Sequence, residues 1–300
     1  MLKIAWSSVY AHPLPEGHRF PMEKYNLIPE QLLYEGTITA EHLFEPPPLD
    51  DASVLLAHDA AYYRRLQNQE LTRREIRKTG FPLSPELVQR EIIIGKGTEM
   101  CAHFALEYGV AMNVSGGTHH AFTNRGEGFC LLNDIAMAAR CLLRDGRATK
   151  VLVVDLDVHQ GNGTAEIFRD DDRVFTFSMH CATNYPLEKE TSDLDLALPP
   201  FTTDDVYLAQ LEETLPQLLD EVEPDFVFYL SGVDILETDK LGKLSMTREG
   251  CRLRDKYVFE LMRANEIPVS VSMGGGYSHR IADIVEAHAN TFRTAQEVWF

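Results

Sequence analysis

Two acids and a histidine, Asp155, Asp157 and His159, follow the apolar run Val151-Leu-Val-Val and precede the turn Gln160-Gly-Asn-Gly163. Residues two apart on an extended chain share a face, so the three side chains emerge together where a buried strand gives way to a loop. An all-apolar strand has little reason to end in that set unless something binds there, and a divalent cation is the economical occupant. Surface acids solvated at a strand end are the bland alternative. A catalytic metal site needs three protein ligands and an open position. Asp157 and His159 supply two. Asp234, just after Phe226-Val-Phe-Tyr-Leu-Ser-Gly232, is the best third candidate, weighed against a plain helix N-cap. Two carboxylates and an imidazole suit Zn2+ and would also hold Fe2+ or Co2+.

Three further segments carry reactive groups. His119-His120 follows Gly116-Gly-Thr. With the ligand positions filled, acid–base work is favoured for this pair: a neutral imidazole takes a proton from activated water, and an imidazolium returns one to a leaving amine. Asp155 and Asn162 can each orient one of these rings through its other nitrogen. Gly274-Gly-Gly-Tyr277 lets backbone approach a ligand closely at Gly275 and Gly276 and ends in a phenol able to donate to an oxyanion. A tight turn with a half-buried tyrosine is its commoner meaning when it stands alone. Gly126-Glu-Gly-Phe-Cys130 is consistent with an aromatic wall for an elongated substrate, through Gly128 and Phe129. Together these parts describe metal-assisted hydrolysis of an amide.

The elements that must position them alternate regularly. Strands are expected at 3–7, 111–115, 150–156, 174–179, 225–230 and 268–273, and helices near 86–108, 132–144, 162–169, 204–221, 247–265 and 280–297. Such alternation implies an α/β fold, one open, mostly parallel sheet with helices on both faces, in a single domain over 1–300. Ligands bind such sheets outside the carboxyl ends of the strands. Nearly all the chemistry-bearing segments, His180 among them, follow predicted strands. The stretch before Glu45-Pro-Pro-Pro-Leu49 reads as irregular.

Composition narrows the class. A net charge of −18 argues against nucleic-acid binding and is compatible either with a cationic substrate or with ordinary solubility. Five cysteines without a CxxC fit reduced thiols and a cytoplasmic enzyme. No run approaches the about 18 apolar residues of a membrane span, and the first residues lack the form of a signal peptide. Oligomeric state is not legible.

The motifs Gly116-Gly-Thr-His-His-Ala121, Gly128-Phe-Cys-Leu-Leu-Asn-Asp134, Asp155-Leu-Asp-Val-His-Gln-Gly-Asn-Gly163, Gly232-Val-Asp-Ile-Leu236 and Gly274-Gly-Gly-Tyr277 resemble those of the histone deacetylase superfamily of zinc-dependent acyl-lysine and acylpolyamine amidohydrolases. The resemblance runs from about residue 10 to 295 and is strongest to the class IV branch and its bacterial relatives. It implies an open parallel α/β fold of the arginase and deacetylase kind, with Asp157, His159 and Asp234 as zinc ligands. His119 and His120 become the catalytic pair, with His120 as general base, and Tyr277 the oxyanion donor. Gly128 and Phe129 line the acyl channel. A monovalent cation, K+, is implied at Asp155, Ser178 and the His159 carbonyl.

Three departures matter. Asn162 stands where class I members carry an aspartate, so the His120 imidazolium is less favoured. Gly17-His18 is kept without the usual proline–glutamate–arginine pattern, leaving Arg19 or Lys24 for the inner-channel base. Tyr185 is the nearest candidate for a second channel aromatic. The expected substrate is an acylated lysine of a peptide or protein, with an acetylpolyamine as the alternative. A two-metal ureohydrolase and an inactive acyl-lysine reader are weaker readings.

Overall fold

Valine, leucine and phenylalanine dominate the segments Val151–Asp155, Phe226–Ser231 and Val269–Met273, and every residue in them is buried. Strands apolar on both faces belong in the middle of a parallel sheet, screened from water on each side. A computed structural model, which describes residues 1–300, places them there. Eight strands form one sheet: β1 (Lys3–Ala5), β2 (Leu43–Phe44), β3 (Val110–Asn113), β4 (Val151–Asp155), β5 (Val174–Cys181), β6 (Leu194–Leu198), β7 (Phe226–Ser231) and β8 (Val269–Met273). All neighbouring pairs are parallel, in the order β2-β1-β3-β8-β7-β4-β5-β6.

Ten helices cover the sheet: α1 (Lys24–Tyr34), α2 (Asp51–Val54), α3 (Ala60–Gln67), α4 (Arg73–Thr79), α5 (Pro85–Tyr108), α6 (Asp134–Arg144), α7 (Asn162–Phe168), α8 (Asp204–Val222), α9 (Arg248–Ala264) and α10 (Ile281–Trp299). Local chemistry sets their ends. Helix α5 starts where the Ser84 hydroxyl accepts from the Leu87 amide, with Pro85 in the first turn, and stops at Gly109. It packs across β1, β3 and β8 with α6 beside it, while α9 and α10 pack on each other. Asn133 and Thr247 cap α6 and α9 in the same way as Ser84.

The expected α/β architecture is the one found, and all six anticipated strands and six anticipated helices are present. The differences lie at the edges. The N-terminal stretch read as irregular contains α1, whose internal Pro29 breaks up the helical pattern. Strand β2 has two residues and β6 is mostly half-buried, so neither carries a core strand's apolar run. His180, expected just past its strand, lies inside β5, because pairing with Ala197 of β6 carries that strand to Cys181.

Four adjacent strands matter most. The order β3-β8-β7-β4 sets the loops holding His119–His120, Gly274–Tyr277, Asp234 and Asp155–His159 side by side at the sheet's carboxyl edge.

Candidate metal centre and active site

Strand β4 ends in two side-chain-closed turns: the Asp157 amide donates to Asp155 Oδ1 at 3.2 Å, and the His159 amide to Asp157 Oδ1 at 2.9 Å. Asx-type bonding of this kind suits acids at a strand exit. Next door, β7 delivers Asp234, whose Oδ1 accepts from the Val158 amide at 3.0 Å. Asp157, His159 and Asp234 thereby offer ligand atoms that all lie within 4.8 Å of one another, every one buried. His159 Nδ1 sits 3.0 Å from Asp157 Oδ1 and 3.2 Å from Asp234 Oδ2.

Two buried carboxylates this close are costly without a compensating cation. Burial, with the neighbouring Asp157 carboxylate, pushes the Asp234 carboxyl up, and its Oδ2 makes no hydrogen bond. An unpartnered buried oxygen beside a second carboxylate and an imidazole nitrogen is a donor set that fits a divalent metal ion. Backbone closes the same space: the Gly275 amide donates to Asp157 Oδ2 at 2.7 Å, and a Cβ at Gly275 would fall 1.9 Å from Asp234 Oδ2. Only glycine fits there.

The histidine pair enters from the loop after β3. Its turn is anchored by Asp134, whose Oδ1 accepts from the Thr118 amide at 2.9 Å and hydroxyl at 2.7 Å. His119 Nδ1 meets Asp155 Oδ2 at 2.7 Å, and His120 Nδ1 meets Asn162 Oδ1 at 2.6 Å. The ring centres are 4.1 Å apart. Their electrostatics diverge. Burial opposes charge on His119, yet Asp155 and Asp157 outweigh it and lift the imidazole to about 9. Burial, then the neighbouring His119 and His159 rings, holds His120 well below the usual histidine range. With Nδ1–H donated to the Asn162 carbonyl oxygen, the Nε2 of His120 is left as an acceptor.

Tyr277 is 8% exposed, and its amide donates to Asp239 Oδ2 at 2.6 Å. Burial, with Asp234 and Asp157 adding to it, raises the phenol well above its ordinary value, so the hydroxyl keeps its proton. The walls are aromatic. Phe129 has φ +69°, a left-handed conformation rare for a bulky residue. Its amide and that of Gly128 are tied to the carbonyls of Thr79 and Lys78 at 2.7 and 3.0 Å. Gly128, at φ +53°, lies so near the histidines that a Cβ would stand 2.6 Å from His120 Cδ2. Tyr185 meets His120 edge-on at 4.9 Å and donates its hydroxyl to Glu127 Oε2 at 2.7 Å. Phe20 completes the wall, 5.2 Å from Phe129 and 5.9 Å from Tyr277 between ring centres. These groups line one cavity of about 350 Å³.

The histone deacetylase domain profile matches residues 18–292. This chain belongs to the histone deacetylase family. An uncharacterized protein of Picosynechococcus sp. is 46% identical over 296 residues, 99% of each chain. Histone deacetylase 2 of Arabidopsis thaliana is 31% identical over 89% of this chain and 72% of its own length. A probable deacetylase of Archaeoglobus fulgidus is 30% identical over 80% of this chain and 70% of its own. The histone deacetylase likeness extends to solved folds. The crystal structure of an HDAC homolog complexed with SAHA superposes with a TM-score of 0.84 at 24% identity, covering 99% of this chain and 84% of that one. An HDAC homolog from Aquifex aeolicus gives the same TM-score and identity over 98% and 84%.

Within this histone deacetylase fold, the residues singled out from the sequence converge. Asp157, His159, His119, His120, Gly128, Phe129, Gly275 and Tyr277 line the cavity, with Tyr185. Asp234, Asp155 and Asn162 stand directly behind them, and Gly276 packs on Val233. Ser178 pairs with Asp155 in register across β4 and β5. Lys24 is buried and donates to the Gly274 carbonyl at 3.1 Å, whereas Arg19 lies at the mouth over Phe129. Sequence reasoning missed Phe20, Glu127 and Asp239. Phe20 reaches the site only through the packing of the N-terminal segment, and Asp239 looks like any loop acid until Tyr277 is seen resting on it. The five cysteines are free and buried, and no helix is long and apolar enough to cross a membrane.

Proposed function

We propose that this chain is a metal-dependent amidohydrolase that removes acetyl or longer acyl groups from lysine side chains. The observation that carries the reading is the buried Asp157–His159–Asp234 set, with its unpartnered Asp234 Oδ2, opening into the same cavity as His119, His120 and Tyr277. Asp157, His159 and Asp234 would hold the ion, Zn2+ being the favoured identity, and it would supply Lewis-acid polarisation and water activation.

The chain's own groups do the rest. His120, without a counter-charge from Asn162, stays neutral and accepts the proton of the attacking water at Nε2. His119, hydrogen-bonded through Nδ1 to the Asp155 carboxylate, is the source of the proton taken by the departing amine. Tyr277 donates its hydroxyl to the oxyanion as the carbonyl becomes tetrahedral. Water adds to the carbonyl, the C–N bond breaks, and a carboxylate and an amine leave. Phe20, Phe129 and Tyr185 pack against an uncharged aliphatic stem, since a charge buried there would be costly. Asp155, Ser178 and the His159 carbonyl are the proposed K+ ligands. A single three-ligand group favours one catalytic ion over a two-metal ureohydrolase centre. Retention of Tyr277 and all three ligands speaks against an inactive reader.

The test is Asp234→Asn together with removal of metal by a strong chelator. Both abolish hydrolysis of an acetyl-lysine peptide while the circular dichroism spectrum persists, because catalytic ions rarely hold a whole domain together. Full metal occupancy and full activity in Asp234→Asn would falsify the assignment.

A further inference from the structure

The mouth of the cavity is cationic, although the chain as a whole carries a net charge of −18. Arg19, Lys78 and Lys243 line it, and the sole carboxylate among its lining residues is Asp157, deep in the metal set. The Arg19 guanidinium rests 4.9 Å above the Phe129 ring and has no acidic partner. Lys243 Nζ donates to the Thr183 carbonyl at 3.0 Å rather than to an acid. Lys78 Nζ lies 3.2 Å from Glu127, but that carboxylate also holds Arg125 at 2.8 Å, so the trio keeps a net positive charge.

We propose that Arg19, Lys78 and Lys243 select acyl-lysines set among acidic neighbours, so that the favoured substrate is a peptide or protein segment with Asp or Glu beside the modified lysine. This rests on the deacylase reading above. The stem fixes which groups meet the cations. With the acyl carbonyl at the metal set and the aliphatic stem between the aromatic walls, the residues flanking the lysine emerge at the mouth. Carboxylates there find a guanidinium with its donors free and two ammonium groups. An acetylpolyamine, by contrast, would project its remaining ammonium groups into charges of the same sign.

The bulk charge pulls the other way, and distance decides between them. At about 0.1 M salt the screening length is about 10 Å. Acids scattered over the far surface are then largely hidden from a peptide at the mouth, while the rim cations are not. The whole-chain charge, which by itself was compatible with cationic substrates, therefore yields to the local field.

The experiment measures kcat/KM of the metal-loaded enzyme for three acetyl-lysine peptides with acidic, neutral or basic flanks, and for an acetylpolyamine, at about 0.1 M and about 1 M salt. The acidic peptide should exceed the basic one by about tenfold at the lower salt, a gain typical of local steering. That gap should close at about 1 M, where screening falls to about 3 Å. Arg19→Gln/Lys243→Gln should shrink the ratio, and Arg19→Glu/Lys243→Glu should invert it. Both residues are exposed, so neither change threatens the fold. Rates indifferent to flanking charge, or a preference for the basic peptide or the polyamine, overturn the inference while leaving the deacylase reading in place. No turnover of any peptide, the neutral one included, overturns the deacylase reading and this inference with it.

Discussion

A phenol raised well above its normal range by burial keeps its proton, and the proposed role of Tyr277 is to donate it as a hydrogen bond to the oxyanion. Tyr277→Phe removes one hydroxyl and little volume. Turnover is expected to fall by about 10²–10³, the usual cost of one oxyanion donor, while a hydroxamate still binds through the metal set. Titrating the variant with such an inhibitor separates lost chemistry from lost folding. Turnover close to that of the parent enzyme would make Tyr277 a packing residue. Gly128 offers a second check at the same scale. Its backbone is left-handed and its missing Cβ leaves room for His120. Gly128→Ala should cost ~1–2 kcal/mol for the backbone alone and displace the imidazole. Thermal melting reads the first effect and turnover the second. A variant as active and stable as its parent would mean that His120 shifts freely.

At the scale of elements, the loops bearing the proposed metal ligands hang from one buried guanidinium. Arg254 of α9, fully buried, donates to the carbonyls of Leu156 at 3.2 Å and Gly232 at 2.6 Å, and to the Ser231 hydroxyl at 2.9 Å. It thus ties the exits of β4 and β7 together, with Asp255 as counter-ion at 2.7 Å. Arg254→Met should cost ~3–5 kcal/mol, because Asp255 is left buried without its charge partner. Metal affinity should fall too, since the ligand loops lose their common anchor. Urea unfolding gives the first quantity and metal titration of the folded variant the second. Unchanged affinity would reduce Arg254 to a purely structural role. No signal in the sequence marks this residue, which sits in an ordinary charged helix pattern. Strands β4 and β7 were readable for the opposite reason: an unbroken apolar run followed closely by an acid reads as a core strand whose end can hold a ligand. The same logic made the metal set and the glycine-tyrosine turn legible. Strand β6 and helices α2 to α4 were not, being short or half-exposed. Phe20 depends on how the N-terminal segment folds over the site, which no local pattern encodes.

For the whole molecule, acid stability turns partly on a histidine that does not line the cavity. His58 Nδ1 donates to the Phe122 carbonyl at 3.0 Å, and its Nε2 accepts from the Asn133 amide at 2.9 Å, so both nitrogens are used by the neutral ring. Burial lowers it to about 4. The unfolded chain, with a histidine near 6.5, takes up this proton first as pH drops. The stabilisation is therefore complete above about pH 6.5 and erodes as pH falls toward 4, by up to ~3 kcal/mol. Unfolding midpoints measured across that window should fall in the wild type and flatten in His58→Gln. Equal slopes would assign the acid sensitivity elsewhere.

The strand order has a consequence for the chain as it is made. Strand β8 is the last in sequence, yet it lies at the centre, with Val269 paired to Val110 on one side and to Val227 on the other. Until it arrives, a nascent chain can form only two separate part-sheets, β2-β1-β3 and β7-β4-β5-β6. Each has an apolar edge open to strangers, the geometry that invites self-association. The loops with the proposed metal ligands belong to the second part-sheet and the paired histidines to the first. A half-made molecule can therefore gather its ligands without the groups that would turn over a substrate. Docking of β8 seals both edges in one step and brings Tyr277 with it. A chain ending before Val269 should accordingly aggregate, and adding the missing segment 269–300 in trans should rescue solubility and activity together.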